Sequence, residues 1–274
     1  MQKILFISDP HICAQGETII GLDPSERLEA VLEAAISAHP DAAALILLGD
    51  LTHHGHAAEY AELARNLSQV TIPIIPMIGN HDRRDAFLAQ FPDAPKTTSG
   101  HIQQWRDIGT HRLITLDSLD GPPYPGGHHA GLLCPDRLSF LETALTTRSG
   151  RHAIVCIHHP PFKTGVIGMD RIMLANGAAV LDLLARHGNL HLVCGHMHQT
   201  ISGNTNGVPW TVFKSPCHQG VVELVKHTSG LSTDEPGAYG LGLLAPDGLI
   251  IHSIDVGTGA RVIDGYGAQR EPRS

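Results

Sequence analysis

The sequence predicts an α/β fold with parallel strands covered by helices, and three observations predict it. Short apolar runs alternate with helix-periodic segments through about the first ninety residues, which is the pattern of a parallel sheet with crossover helices. Capping and helix-breaking residues fall at the joins between them. Five of the apolar runs end in polar clusters, and ligands of parallel sheets sit beyond the carboxyl ends of the strands.

Lys3 to Ser8 is the first strand. Asp23-Pro24-Ser25-Glu26 then supplies an N-cap, a proline at the first helical position and a glutamate at N3; Leu28, Val31, Leu32, Ala35 and Ile36 follow at helical spacing, and the helix stops at His39-Pro40. Ala43 to Leu48 is a second strand ending in Gly49-Asp50, Ala57 to Gln69 a second helix, and Ile72 to Ile78 a third strand ending in Gly79-Asn80-His81-Asp82. Two strands follow within Ile102 to Asp117, then a Gly/Pro/His-rich loop from Gly121 to Gly131 and a helix from Pro135 to about Thr146. His152 to Ile157 is a strand ending in His158-His159-Pro160-Pro161. Asn176 is read as the cap of a helix running to His187, and Leu190 to Cys194 is a strand ending in Gly195-His196-Met197-His198. Strand-like runs at Trp210–Phe213, Val221–Val225, Tyr239–Leu244 and Leu249–Ile254 are expected to complete a second sheet packed on the first. The expected organisation is a single domain over residues 1–264, in which 199–264 completes the second sheet and residues 227–240 form a small cap, followed by a tail at 265–274.

Composition narrows the function. At 274 residues, 42% hydrophobic and 17% charged, the chain has a globular composition, and its formal charge of −8 argues against a duplex nucleic acid partner. Five cysteines without a C-x-x-C pair form neither a disulfide framework nor a thiolate zinc site. No run is apolar enough for a membrane span or a signal peptide, so a cytoplasmic location is expected. Histidine, at 20, outnumbers Lys and Arg combined at 19, and imidazole is the commonest metal ligand.

The strand-end clusters contain Asp9, His11, Asp50, Asn80, His81, Asp82, His158, His196 and His198, and one shared site is the economical reading. In Asp9-x-His11 and His196-x-His198 the side chains two apart point to the same side of an extended segment. Carboxylate, imidazole and amide donors without thiolate suit Mn, Fe, Co or Zn. If Asp50 bridges, two metals about 3.5–4 Å apart follow, the spacing that clamps both oxygens of a phosphoryl displacement.

In this order, Asp9-x-His11, Gly49-Asp50, Gly79-Asn80-His81-Asp82, His158 and Gly195-His196-x-His198 resemble the calcineurin-like binuclear metallophosphoesterase superfamily. Within it, the chain is similar to bacterial glycerophosphodiesterases and class III cyclic-nucleotide phosphodiesterases. The resemblance implies a four-layer α/β/β/α sandwich of two mixed sheets. It assigns Asp9, His11, Asp50 and His198 to a first metal, and bridging Asp50 with Asn80, His158 and His196 to a second. It makes His81 a catalytic imidazole over the phosphate, oriented by Asp82, while a metal-bound hydroxide attacks in line with inversion at phosphorus. It also makes a homodimer or higher homo-oligomer plausible.

The implied activity is hydrolysis of small phosphodiesters, 3',5'-cyclic nucleotides or glycerophosphodiesters. A phosphomonoesterase or protein phosphatase with the same centre, a nuclease and a metal-free scaffold are the alternatives. Asn80, His81, His159 and His218 are the candidate substrate contacts. Arg83 and Arg84 fit either a phosphate clamp or a solvated helix start, and the roles of His128 and His129 stay open. Tyr239, Phe162 and Trp210 are candidates for an apolar substrate wall. The other histidines, His53 among them, are read as solvated or core residues.

Overall fold

The computed structural model describes residues 1–121, 129–225 and 230–260. In chain order the helices are α1 (Pro24–Ala38), α2 (Ala57–Leu67), α3 (Arg84–Gln90), α4 (Pro135–Thr146) and α5 (Gly177–His187). The strands are β1 (Gln2–Ile7), β2 (Leu45–Leu48), β3 (Ile74–Met77), β4 (Gln104–Ile108), β5 (His111–Leu116), β6 (His152–Ile157), β7 (Leu190–Cys194), β8 (Ile201–Thr205), β9 (Val208–Val212), β10 (Gln219–Gly220), β11 (Ser232–Thr233), β12 (Ala238–Ala245) and β13 (Gly248–Asp255).

Two mixed sheets form the centre, in the orders β13-β12-β1-β2-β3 and β4-β5-β6-β7-β9-β8. β1, β2 and β3 are mutually parallel, as are β5, β6, β7 and β9. Their apolar residues project from both faces, because each sheet is covered on both sides. Ile4, Phe6 and Ile46 of the first sheet pack against Ile154, Val193 and Phe213 on the second, with the Phe6 and Phe213 rings stacked at 5.3 Å. The outer face of the first sheet packs on α1 and α2, through residues such as Leu28, Leu32, Tyr60 and Leu63. The outer face of the second packs on α4 and α5, through Leu141, Leu145, Val180 and Leu184. The result is the expected α/β/β/α sandwich.

Local chemistry explains most boundaries. The Asp23 carboxylate accepts from the Ser25 amide at 2.8 Å and the Glu26 amide at 3.3 Å, so the N-cap of α1 is as read. Pro76 is tolerated in β3 because β3 is an edge strand.

Three expectations need correction. Residues 199–264 do not complete one sheet: β8 and β9 extend the second, whereas β12 returns antiparallel to β1 and carries β13 into the first. The reason is the second edge of β1, whose buried apolar residues 4–7 would otherwise have no strand on that side. Val221–Val225 is not a strand. After the β10–β11 pair the Val221 amide donates to the Leu231 carbonyl, among the described residues no further ladder bond follows, and Val222, Leu224 and Val225 are exposed. Asn176 stands at the N-cap position of α5, but its side chain makes no capping bond; its amide group donates to and accepts from the Leu133 backbone at 2.8 and 3.1 Å, tying the start of α5 to the start of α4. Of the cap expected at 227–240, residues 227–229 lie outside the described residues, as do 261–264 and the 265–274 tail. Among the described residues no helix is long and apolar enough to cross a membrane.

Arg84 has a structural task instead of a phosphate to hold. Its guanidinium grips the fully buried Asp117 carboxylate through two 2.8 Å bonds and also donates to the Gly121 carbonyl. Removing one partner of such a pair leaves a buried charge uncompensated. Arg84→Ala therefore lowers the unfolding free energy in urea by about 3 kcal/mol and leaves KM unchanged below the melting transition; a phosphate clamp would show the reverse.

Candidate metal centre and active site

Parallel strands bring the carboxyl ends of β1, β2 and β3, and of β6 and β7, to one end of the sandwich. The Asp9 amide donates to the Gly49 carbonyl at 3.2 Å and the His11 amide to the Asp50 carbonyl at 3.0 Å, which fixes the first two loops side by side. The fifth loop is docked when the His196 amide donates to the Asp9 carboxylate at 3.0 Å.

The backbone is strained where the candidate ligands stand. Asp9, His11, Asp50, His196 and His198 all have φ between 47° and 73°, in the left-handed region, where each costs of order 1–3 kcal/mol. Glycines make the room. A Cβ on Gly79 would lie 2.6 Å from His158 Nε2 and collide with the Asp50 carboxylate, and one on Gly49 would lie 2.6 Å from His158 Nδ1.

Asp50 lies between two groups, with its Oδ2 3.6 Å from His11 Nε2 and 3.3 Å from His158 Nε2. His198 Nε2 is 3.0 Å from His11 Nε2 and 3.6 Å from Asp9 Oδ1. Asn80 Nδ2 donates to His129 Nδ1 at 3.1 Å, which turns Asn80 Oδ1 toward His158 Nε2, 3.2 Å away. Backbone carbonyls hold the far sides of the rings: His158 Nδ1–H donates to Leu48, His198 Nδ1–H to His218 and His81 Nδ1–H to His53, at 2.8, 3.0 and 2.7 Å. Each ring's Nε2 is thereby left facing the cluster.

The electrostatics of the cluster favour the metal-ligating forms of His11, His196 and Asp50, whereas burial raises Asp9 and the carboxylates hold a proton on His158 that a cation would displace. Burial and neighbouring imidazoles hold His11, His159 and His196 well below the ordinary histidine range and bring His53 down to about 4 and His218 to about 3. Burial alone would raise Asp50, but His158 and His81 pull its carboxyl well below the usual range. Burial likewise opposes charge on His158, yet the Asp50 and Asp9 carboxylates raise it to about 9. Neutral imidazoles and ionised carboxylates are the forms that bind cations.

These residues fit a pair of metal ions. Asp9, His11 and His198 converge within 4.8 Å, as do Asp9, Asp50 and His158, and His158, His159 and His196. His196 Nε2 is buried without a hydrogen-bond partner, a cost that a cation would remove.

Above the cluster opens a cavity of about 440 Å³. His11, Asp50, Asn80, His81, His196 and His198 form its floor, with His53, His129 and His218 beside them. Ile19, Ile20, Met169, Ile172, Val221 and Leu231 make its walls apolar.

Several expected roles change. Asp82 does not touch the His81 ring: its buried carboxylate accepts from the Leu51, Thr52 and Gly79 amides, Thr52 Oγ1 and the Tyr60 hydroxyl, at 2.9–3.2 Å. It braces two loops, and the His53 carbonyl orients His81 in its place. His159 does not line the cavity; it is fully buried, bonded to Ser118 Oγ at 2.7 Å and to the His129 carbonyl at 3.1 Å. Arg83 is exposed, 3.8 Å from Asp85. Phe162 and Trp210 stack on each other in the core at 3.9 Å, and Tyr239 is buried against His39, so none forms the substrate wall. His128 lies outside the described residues. His53, read from sequence as a bystander, is a site residue. Its amide donates to the Ile12 carbonyl, which places its ring 3.3 Å from His11 through the two Nδ1 atoms. The available signal was its position three residues beyond Asp50.

Residues 2–200 match the model of the calcineurin-like phosphoesterase family. The chain belongs to this family. Within the family it is 38% identical over 252 residues to a probable cyclic nucleotide phosphodiesterase of Rhodopseudomonas palustris, covering 91% of each chain. It is 27% identical over 260 residues to a probable glycerophosphodiester phosphodiesterase of Arcobacter nitrofigilis, covering 93% of each. The crystal structure of a dimetal phosphatase from Danio rerio shares the fold, with a TM-score of 0.70, 14% identity, and coverage of 92% of this chain and 95% of that one.

The packing around Gly79 in this phosphoesterase gives a direct test. Gly79→Ala forces the Asp50 and His158 side chains apart, lowering stability by about 1–3 kcal/mol. It also lowers the number of metal ions retained after dialysis, read by elemental analysis beside a thermal melt.

Proposed function

We propose that this protein is a metal-dependent phosphodiesterase of small soluble diesters, with 3',5'-cyclic nucleotides as the leading substrate class. One observation on the cavity carries the diester assignment: among its described lining residues none is Lys or Arg. A dianionic monoester needs more positive charge than imidazoles and two cations supply once both carboxylates are counted, whereas a monoanionic diester does not. The apolar walls suit a nucleobase and ribose better than glycerol. The Rhodopseudomonas relative, named for cyclic nucleotides, is more similar to this chain than the Arcobacter relative, named for glycerophosphodiesters.

In this reading Asp9, His11, Asp50 and His198 hold one metal, and Asp50, Asn80, His158 and His196 the other. When bound, such a pair lowers the pKa of coordinated water and withdraws charge from the phosphoryl oxygens. Fe, Mn, Zn and Co all suit these donors. His81 stands on the cavity floor, with its ring 4.6 Å from that of His11. With Nδ1–H committed to the His53 carbonyl, Nε2 is the atom that carries a proton to the leaving oxygen. His218, 4.6 Å from the His198 ring, contacts the substrate from the C-terminal side. Unpaired thiols at all five cysteines accord with a cytoplasmic site of action.

Two measurements test this. Across metal-reconstituted assays with 3',5'-cAMP, glycerophosphoethanolamine, bis(p-nitrophenyl) phosphate and p-nitrophenyl phosphate, the highest kcat/KM belongs to 3',5'-cAMP and the aryl diester exceeds the aryl monoester. A glycerophosphodiester in first place moves the substrate class, and the monoester in first place overturns the diester assignment. His81→Ala keeps its metal content and loses about 10²–10⁴-fold in kcat; loss of metal together with activity would make His81 a ligand instead.

A further inference from the structure

Behind the catalytic floor, the loop between β2 and α2 carries His54 and His56, and α2 carries Glu59. One ligating atom from each of these three side chains lies within 4.8 Å of the others, making a group of potential metal ligands that shares no residue with the centre. None of the three lines the cavity. The His53 ring, which lines the cavity, meets the His54 ring edge-on at 4.5 Å.

The donors are unequally held. Glu59 is buried, and its Oε2 accepts from the His54 and His56 amides at 3.0 and 2.9 Å, which fixes the carboxylate. Its other oxygen, Oε1, faces His54 Nδ1 at 2.8 Å, a hydrogen-bond spacing that widens to about 3.3 Å when a cation with bonds of about 2.0–2.1 Å stands tetrahedrally between the two atoms. The His54 and His56 rings lie nearly parallel, 5.4 Å apart and inclined by 16°, and both are exposed enough to turn about their side-chain bonds. Gly55, at φ +74°, bends the loop so that histidines two apart face the same carboxylate. The negative charge of Glu59 offsets the positive end of the α2 dipole, which would otherwise disfavour a cation there.

We propose that His54, His56 and Glu59 form a third metal site, peripheral to the catalytic pair and suited to an imidazole-preferring divalent cation such as Zn²⁺. The cation takes the place of the proton between His54 Nδ1 and Glu59 Oε1, His56 supplies the third donor, and water completes a tetrahedral shell. The same loop presents the His53 carbonyl to His81, so a filled site stiffens the support of the catalytic ring. The donors are distinct from those of the catalytic centre, so the proposal stands whatever substrate that centre accepts.

The test is zinc uptake by the full-length protein, measured by equilibrium dialysis with elemental analysis at micromolar free Zn²⁺. The wild type is compared with the double variant His54→Ala/His56→Ala and with His252→Ala as a remote surface-histidine control. The expected result is one fewer equivalent of zinc in the double variant and no change in the control, whatever number the catalytic centre retains. Saturating zinc also raises the Tm of the wild type, already loaded at its centre, by about 5 °C, and leaves the loaded double variant unmoved. Equal zinc counts in the wild type and the double variant overturn the proposal, as does a third equivalent that appears only at millimolar zinc. If the double variant unfolds, His54→Gln, which removes the imidazole and keeps a polar side chain, carries the same comparison.

Discussion

Two buried carboxylates, Asp9 and Asp50, stand where the carboxyl ends of the two sheets meet, and the surrounding structure is organised to compensate them. An ionised carboxylate without partners is too costly to bury in a protein interior. Here Asp9 receives the His196 amide and the Ser8 hydroxyl, and Asp50 receives the His81 amide and the nearby His158 imidazole. Each of these groups comes from a different loop, so the charges act as the tie between β1, β2, β3, β6 and β7. Three of the five candidate ligands with left-handed backbone, Asp9, Asp50 and His196, take part in those same bonds.

Around that tie, a ring of support acts on the orientation of side chains more than on their identity. Backbone carbonyls of Leu48, His53 and His218 fix the tautomers of His158, His81 and His198, leaving Nε2 of each directed inward. Asp82, through its bonds to three amides and two hydroxyls, locks the loop after β2 to the loop after β3. Metal ligation and proton transfer both depend on nitrogen atoms pointing the right way, and the scaffold determines this before any substrate arrives. The apolar cavity wall draws mostly on other segments, with Ile19, Ile20, Met169, Ile172 and Leu231 lying outside the strand-end loops that carry the candidate ligands.

Much of the frame was legible in the sequence because it depends on local chemistry. Asp23-Pro24 marks the start of α1 since a carboxylate cap and a fixed φ act within one turn, and α4, β6 and β7 run over the residues that periodicity assigns. The candidate centre was legible for a related reason. Apolar strands that each end in Asp, Asn or His bring those ends together whenever the strands lie parallel in packed sheets. Val221–Val225 failed as a strand because pairing needs a free edge, and no local pattern records whether one exists.

By itself, then, the sequence determined most of the element types and singled out the strand-end residues Asp9, His11, Asp50, Asn80, His81, His158, His196 and His198 as candidates for one centre. Only the tertiary structure decided what stands behind them. It showed that His53 meets His11, that Asp82 and Arg84 brace loops, that His159 is buried beneath His129, and that β12 returns to β1. These contacts join residues from 2 to 244 along the chain whose proximity is set by sheet pairing and layer packing. Neither periodicity nor spacing carries that information, since both describe a residue's neighbours along the chain and not those across it.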